Sequence, residues 1–212
     1  MNIIITGSSR GLGASIAKEW CKRKPNNFYY GISKWNDYDV SNYEQMREYY
    51  NNRFDGDNVT ALVNNAGIIK LGSILELSKE DWEEQINTNL NGVFYNCKGY
   101  ASFCIRNKIP GKIINIASTA GQGARPGRSA YSSSKAAVIN FSLSIAEELK
   151  QYGIKVYCVC PGAIDTDMRH YINPDDDFDS MMKPDQLASF ICDLIENDKY
   201  LHSQVLTIKN IN

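Results

Sequence analysis

The 212-residue sequence predicts a single α/β domain, with a mostly parallel sheet of six to seven strands covered by helices on both faces. Three observations predict it. The chain opens on a short β-branched run, Asn2-Ile-Ile-Ile, which meets glycines and then a helical apolar pattern, the signature of strand, tight turn and helix. Strand-like and helix-like segments then alternate along the rest of the chain, and strands separated by helices pair in parallel. The length suits one compact core.

The elements follow in order. After the first strand, Ala14, Ile16, Ala17 and Trp20 carry the periodicity of a helix. A second strand spans roughly Asn27 to Ile32. The segment Lys34 to Ser41 is too short to be the crossover between adjacent parallel strands, which takes a dozen or more residues. A whole crossover helix is therefore missing. Either a third strand near Asp39-Val40 is vestigial, or Tyr38–Val40 forms a loop. A helix from about Tyr43 to Asn52 precedes a strand at Ala61-Leu-Val63. Ser78 with Asp81 makes a capping box for a long helix reaching about Lys108. Lys112–Ile116 is a strand, Tyr131 begins a helix to about Gln151, and Lys155–Val159 is a strand. A helix near Gln186–Glu196 and a strand at Gln204–Ile208 complete the order.

The first turn reads Thr6-Gly7-Ser8-Ser9-Arg10-Gly11-Leu12-Gly13. Glycine lets the backbone turn sharply and approach a ligand closely. A helix N-terminus offers free N–H groups and partial positive charge to a phosphate. The Gly-x-x-x-Gly-x-Gly spacing differs from the common dinucleotide fingerprint, and a purely structural turn is the competing reading. Gly7-Ser-Ser9-Arg-Gly11 also spells a hydrolase nucleophile elbow. Its triad would need a downstream histidine, and only His170 and His202 exist, neither in a recognisable motif.

Tyr131 and Lys135 stand four residues apart on one face of a helix, and Ser118 lies 131 − 118 = 13 residues upstream. A phenol titrates at about 10 in water, too high for good acid–base work near neutrality. A fixed lysine charge beside it favours the phenolate and lowers that value.

With the glycine loop, Asn64-Asn65-Ala66-Gly67, Asn89, Ser118, Tyr131 with Lys135, and Pro161-Gly162 in this order, the chain resembles the short-chain dehydrogenase/reductase family over nearly its whole length. The resemblance implies a doubly wound Rossmann-like sheet, a bound nicotinamide cofactor, and hydride transfer between the cofactor and a small carbonyl or secondary alcohol substrate. It implies that Tyr131 is the acid/base, that Lys135 is its electrostatic partner and holds the nicotinamide ribose, and that Ser118 hydrogen-bonds the reacting oxygen. Asn89 resembles the asparagine that supports a proton relay to the lysine, with Asn87 and Asn91 as near neighbours that the register passes over. Gly7, Ser8, Ser9, Arg10, Gly11, Leu12 and Gly13 would cradle the cofactor. Asn65, Ala66 and Gly67 would flank its adenosine half. Pro161, Gly162, Ile164 and Thr166 resemble the loop around the nicotinamide, and Asp39-Val40 the pair that contacts adenine. No metal site is implied.

The end of the second strand bears on cofactor choice. An acid there hydrogen-bonds the 2′-hydroxyl of NAD, whereas a cation accommodates the 2′-phosphate of NADP. The chain reads Gly31-Ile-Ser33-Lys34, with Arg10 nearby, which favours NADP(H) and leaves NAD(H) possible. The stretch 166–184 is a short substrate lid by resemblance, and its acidic cluster, Asp175 to Asp177 with Asp179, reads as a mobile solvated loop. Arg125 and Arg128 could clamp an anionic substrate group or simply solvate a loop.

Formal charge is −1, from 23 Lys and Arg against 24 Asp and Glu, which argues against nucleic acid or an anionic membrane as main partner. No apolar run is long enough to span a bilayer and no secretory signal precedes the first strand, so a cytoplasmic location is expected. The six cysteines show no paired metal spacing and read as reduced; Cys158 and Cys160 should share a strand face. Ser132–Leu149 is apolar nearly all round, which predicts a helix buried on more than one side and, with the resemblance, a homodimer or homotetramer. The alternative function is a non-catalytic NAD(P)-binding regulator or scaffold of the same fold. An epimerase or dehydratase acting on nucleotide sugars would carry a different glycine spacing and a larger substrate domain.

Overall fold

The computed structural model describes residues 1–23, 26–54, 58–197 and 204–210; His202 lies outside them. Its sheet has six strands in the order β2-β1-β3-β4-β5-β6, every neighbouring pair parallel. The strands are β1 (Asn2–Thr6), β2 (Phe28–Ile32), β3 (Val59–Asn64), β4 (Gly111–Ile116), β5 (Ile154–Pro161) and β6 (Val205–Ile208). The helices are α1 (Gly11–Arg23), α2 (Tyr43–Asn52), α3 (Lys79–Ile86), α4 (Gly92–Asn107), α5 (Ser129–Lys150), α6 (Asp167–Ile172) and α7 (Pro184–Glu196).

Side chains alternate across a strand, so each strand feeds two cores. Ile4, Leu62, Ile113, Val156, Cys158 and Cys160 point to the layer of α2, α4 and α5, where Tyr50, Tyr100 and Val138 are fully buried. Ile3, Ile5, Val63, Ile114, Tyr157 and Val159 point to the layer of α1 and α7, against Ile16, Trp20, Leu187 and Ile191. Both faces are dry, which is why the strands read as unbroken apolar runs rather than alternating ones. Cys158 and Cys160 do share one face, and both are buried free thiols.

The short segment after β2 resolves as a loop. Lys34–Asn36 makes one 3₁₀ turn, Asp37 takes a left-handed φ of 63°, and Asn42 caps α2 by accepting the Gln45 N–H. The chain thus passes from β2 through α2 to β3 on the far side of β1, with no strand between. Six strands is the count among the described residues, and β2 forms one edge, with Phe28 and Tyr29 exposed.

The long helix expected from Ser78 to Lys108 is corrected in one place. Ser78 does cap it, its Oγ accepting the Asp81 N–H at 3.0 Å. Residues Asn87–Asn91 then form a π-helical turn between α3 and α4. Such a bulge places an extra residue in the turn and re-aims its side chains. Here it buries Asn89 completely.

The stretch 166–184 is also more fixed than its composition suggests. Asp176 pairs with Arg169, Lys183 reaches Asp165 at 3.0 Å, and His170 both contacts Asp165 at 2.8 Å and stacks on Phe178. Asp175, Asp177 and Asp179 are the exposed members of the acidic run. Among the described residues no helix is long and apolar enough to cross a membrane.

Candidate active site

The carboxyl ends of parallel strands in an open α/β sheet are where ligands bind. Every loop singled out in the sequence leaves the sheet at that edge: 7–13 after β1, 33–40 after β2, 65–67 after β3, 117–122 after β4 and 162–166 after β5.

Gly7 and Gly11 adopt φ of 66° and 53°, the left-handed region that favours glycine. The Gly7 N–H donates to Ile32 O at 2.7 Å, tying the loop to β2. α1 begins at Gly11 and has no acidic residue in its first turn, so its free N–H groups and positive dipole end face the loop uncompensated. Ser8 is buried against Gly31, while Ser9 and Arg10 are exposed. The Leu12 side chain packs into the core, leaving only its backbone at the loop.

Thr6 is a residue the sequence reading passed over. Its Oγ1 accepts both the Asn65 N–H at 3.0 Å and the Ala66 N–H at 2.9 Å, while Asn65 Nδ2 donates to the carbonyls of Thr6 and Gly7, each at 3.1 Å. These bonds lock the first and third strand-end loops together.

Beyond β2, the Lys34 ammonium sits 3.1 Å from the Asp39 carboxylate. Burial works to raise the Asp39 pKa, but hydrogen bonds from the Ser41 hydroxyl and N–H, with the Lys34 charge, outweigh it and hold the carboxyl below its ordinary range. Ser33 is bound through its N–H and hydroxyl to Asn36 Oδ1. Val40 is buried in the core against Gly92, so its side chain faces away from solvent.

At the next three loops the acid–base candidates meet. Lys135 is buried, and its Nζ donates to the Ile116 carbonyl at 2.8 Å and lies 5.8 Å from the centroid of the Tyr131 ring. Burial pushes the ammonium down to about 8, with the nearby Cys158 and Cys160 thiols opposing. Burial likewise raises the Tyr131 phenol, while its hydrogen bond with the Ser118 side chain and the Arg128 charge pull the other way; the net shift is upward, so the lowering expected from Lys135 is not what the resting site shows. Ser118 Oγ also accepts the Ala120 N–H at 3.0 Å, which caps a 3₁₀ turn and fixes the serine beside the tyrosine.

Asn89 joins the loop after β3 to α5. Its Oδ1 accepts the Ile68 N–H at 2.8 Å, and its Nδ2 donates to Ile68 O at 2.9 Å and Ser134 Oγ at 3.2 Å. Gly67 lies between Asn89 and Lys135: an added Cβ would stand 3.3 Å from Asn89 Oδ1 and 3.6 Å from Lys135 Nζ. Ser134 was not singled out, although it is the helix residue that Asn89 grips. Asn87 and Asn91 bond to each other at 2.8 Å on the surface. After β5, Thr166 lies near Gly11, where an added Cβ would stand 3.7 Å from Thr166 Cγ2, and Ile164 pairs with Met182 in a short bridge. Gly162 packs on Lys209, where an added Cβ would come within 3.0 Å of the lysine Cβ.

The structure therefore brings Ser118, Tyr131, Lys135, Asn89 and Gly67 into one cluster, with the glycine loop and Thr166 facing each other beside it. Residues 34–177 match the family model for short chain dehydrogenases, more than half of the chain. This protein belongs to the short-chain dehydrogenase family. It is 32% identical over 190 residues to the 3-oxoacyl-[acyl-carrier-protein] reductase FabG of Chlamydia trachomatis serovar D, covering 80% of this chain and 76% of that one. Among solved structures, ElxO with NADP bound and 4-hydroxyisoleucine dehydrogenase complexed with NADH each share 26% identity at a TM-score of 0.86, over 98% of this chain and 96% of theirs. The protein is an oxidoreductase of the kind that acts on a CH–OH or C=O group with a nicotinamide cofactor.

Proposed function

We propose that this short-chain dehydrogenase interconverts a small carbonyl compound and its secondary alcohol, with Tyr131 as acid/base and NADP(H) as the favoured cofactor. The observation that carries it is the packing of a buried lysine under a serine-bonded tyrosine at the carboxyl edge of the sheet.

The glycine loop fits a dinucleotide. Gly7 and Gly11 supply left-handed backbone, and an added side chain at Gly13 would strike Gly7 O, so the loop turns tightly over the N-terminus of α1. The residues that would hold the cofactor are Gly7, Ser8, Ser9, Arg10, Gly11, Leu12 and Gly13, then Asn65, Ala66, Gly67, Pro161, Gly162, Ile164 and Thr166, with Tyr131 and Lys135 at the ribose. When bound, the nicotinamide supplies or accepts the hydride.

The chain's own residues do the rest. Ser118 and Tyr131 present two hydroxyl donors to the oxygen on which negative charge develops, and preorganised donors are worth most where charge appears. Tyr131 gives its proton to that oxygen in reduction and takes it back in oxidation. The Lys135 ammonium stabilises the phenolate left behind. Asn89 holds the Ile68 backbone and Ser134, which keeps the loop after β3 in register with α5.

A pH dependence follows from the charge on Lys135. Tyr131 is held above its ordinary value and stays protonated through neutrality, whereas Lys135 loses its proton near pH 8. Carbonyl reduction needs both protons, so kcat/KM should be level below that pH and fall about tenfold per unit above it. Lys135→Arg keeps its charge to higher pH and should carry the break upward at a lower plateau. A profile with no break between pH 7 and 10 would exclude Lys135 from this role.

For the cofactor, we assign the reading of a 2′-phosphate to Ser33, Lys34 and Arg10. Lys34 is exposed, and its pair with Asp39 is weak enough in water to yield to a phosphate. Lys34→Asp should move the NADPH-to-NADH affinity ratio toward NADH by about 1.5–3 kcal/mol, the worth of one charge-assisted bond. Fluorescence titration with each cofactor is the direct test; equal ratios in the two proteins would remove Lys34 from the site. Asp39 and Val40 remain proposed adenine contacts, Val40 through backbone alone.

We also assign the exposed part of α5 to a subunit contact. Leu143 there and Phe94 on α4 are exposed in the single chain, which supports a homodimer or homotetramer. The composition and the family suit a cytoplasmic protein whose partner is a small molecule, with neither nucleic acid nor membrane involved.

A further inference from the structure

Beside the acid–base cluster lies an open cleft of about 560 Å³. Its lining starts at Thr119, the residue after Ser118, and includes Gly162 and Ala163 on the loop after β5. The far wall is Thr207 of β6 with Lys209 and Asn210 just after that strand, and the lid contributes Ser180 and Met181. The size falls in the range of small-molecule sites.

The chemistry of this lining is one-sided. It contains two cations, Arg125 and Lys209, and no aspartate or glutamate. Among the described residues neither cation pairs with a carboxylate, whereas the neighbouring Lys183 and Arg169 are neutralised by Asp165 and Asp176. Arg125 spends one N–H on the Ala124 carbonyl at 2.9 Å and keeps the rest of its donors. The Lys209 Cβ lies over Gly162, which places the root of its side chain at the cleft wall. The polar walls are built rather than loose. Gln122 Nε2 donates to Thr207 Oγ1 at 2.9 Å across the cleft, and Asn210 Nδ2 donates to Ser180 O at 2.7 Å, tying the lid to β6.

Two like charges held in one concave site without a counter-ion repel each other, and a bound anion would remove that repulsion while forming charge-assisted bonds. We infer that the substrate carries an anionic group, a carboxylate or a phosphate, which Arg125 and Lys209 hold in this cleft. The inference rests on the reading of Tyr131 as acid/base, because the cleft opens beside Ser118 and the anchored group sets which carbonyl faces the tyrosine. Arg128, the other arginine of this loop, feels the charges of Arg169, Arg125 and Asp176 and does not line the cleft.

The test uses three ketones of one carbon skeleton, ending in a carboxylate, a phosphate ester or a neutral methyl ester. Binding is measured by calorimetry on Tyr131→Phe protein saturated with NADPH, so that no turnover intervenes, and kcat/KM is measured on the unaltered enzyme. The expected result is at least tenfold tighter binding of one charged ketone than of the neutral ester, weakening with salt. That preference should fall to within twofold in Arg125→Ala/Lys209→Ala. Comparison of the two charged arms identifies the group. Equal binding of the neutral ester, or a preference that survives in the double variant, would overturn the inference. Both cations are exposed, so Arg125→Gln/Lys209→Gln serves as a second variant without a packing cost. Charge-dependent binding with no turnover of any ketone would support the anion site and count instead against the acid–base role of Tyr131.

Discussion

Replacing Tyr131 with phenylalanine is expected to lower kcat for carbonyl reduction by about 10³-fold, while NADPH affinity stays within about threefold. The ring and its packing remain; only the hydroxyl goes. With it go the proton donor and one of the two hydroxyls aimed at the developing oxyanion, each of which is worth about 10²-fold or more alone. A fall of 10³ corresponds to about 4 kcal/mol of barrier. Ser118 would keep its bond to the Ala120 N–H, and Lys135 its bond to Ile116 O, so the site should not collapse. Steady-state kinetics with a fluorescence titration of NADPH separates the two quantities. Turnover within tenfold of the unaltered enzyme would refute the acid/base assignment. Loss of NADPH binding along with turnover would mean the hydroxyl holds the cofactor site rather than the reaction.

The second large effect concerns the glycine loop. Gly13→Ala is expected to destabilise the fold by about 3 kcal/mol, against a helix-propensity gain of about 1 kcal/mol for the same change. Packing wins because the added Cβ would stand 2.2 Å from Gly7 O and 2.6 Å from Asn65 Nδ2. The first is backbone, and the second already donates to that same carbonyl and to Thr6 O. Relief therefore requires moving the whole loop off α1. In a chain of this size the melting temperature should drop by about 6–12 °C, and NADPH affinity should fall with it. Gly127→Ala offers a contrast, since its Cβ would meet nothing within 4 Å and only its φ of 71° resists the change. A Gly13→Ala protein that melts no lower than the parent would show that the loop can shift freely, and the tight cradle would have to be abandoned.

How much of this was legible in the sequence depends on the range of each interaction. Tyr131 and Lys135 share a helix face because four residues make about one turn, so their proximity is local. The glycine loop, the strand order of apolar runs and the Ser78 cap are local in the same sense. The missing crossover was legible as a length too short for a helix, yet not its outcome. Only the pairing of β3 with β1 decided that residues 33–42 are a loop and that β2 is an edge.

Long-range polar bonds were the hidden part. Thr6 joins the loops after β1 and β3 across 59 residues of chain, and Asn89 reaches Ser134 across 45. No spacing announces either, because their partners are brought together by the sheet. The π-helical turn at Asn87–Asn91 is likewise invisible to a 3.6-residue period, and the buried Asn89 lies at its centre. The acidic run at 175–179 read as solvated because charge is a property of composition, whereas the pairing of Asp176 with Arg169 is a property of geometry.

The α/β class, the glycine turn, the tyrosine–lysine pair and the candidate list follow from the order of residues alone, since all depend on contacts within a turn or a strand. The tertiary structure decided which of those residues meet, how deeply Lys135 is buried and hence where its proton leaves, and that Arg125 and Lys209, 84 residues apart (209 − 125), line one cleft. The physical reason is that burial and charge pairing depend on distance through space, which the sheet sets only when its strands have found their order.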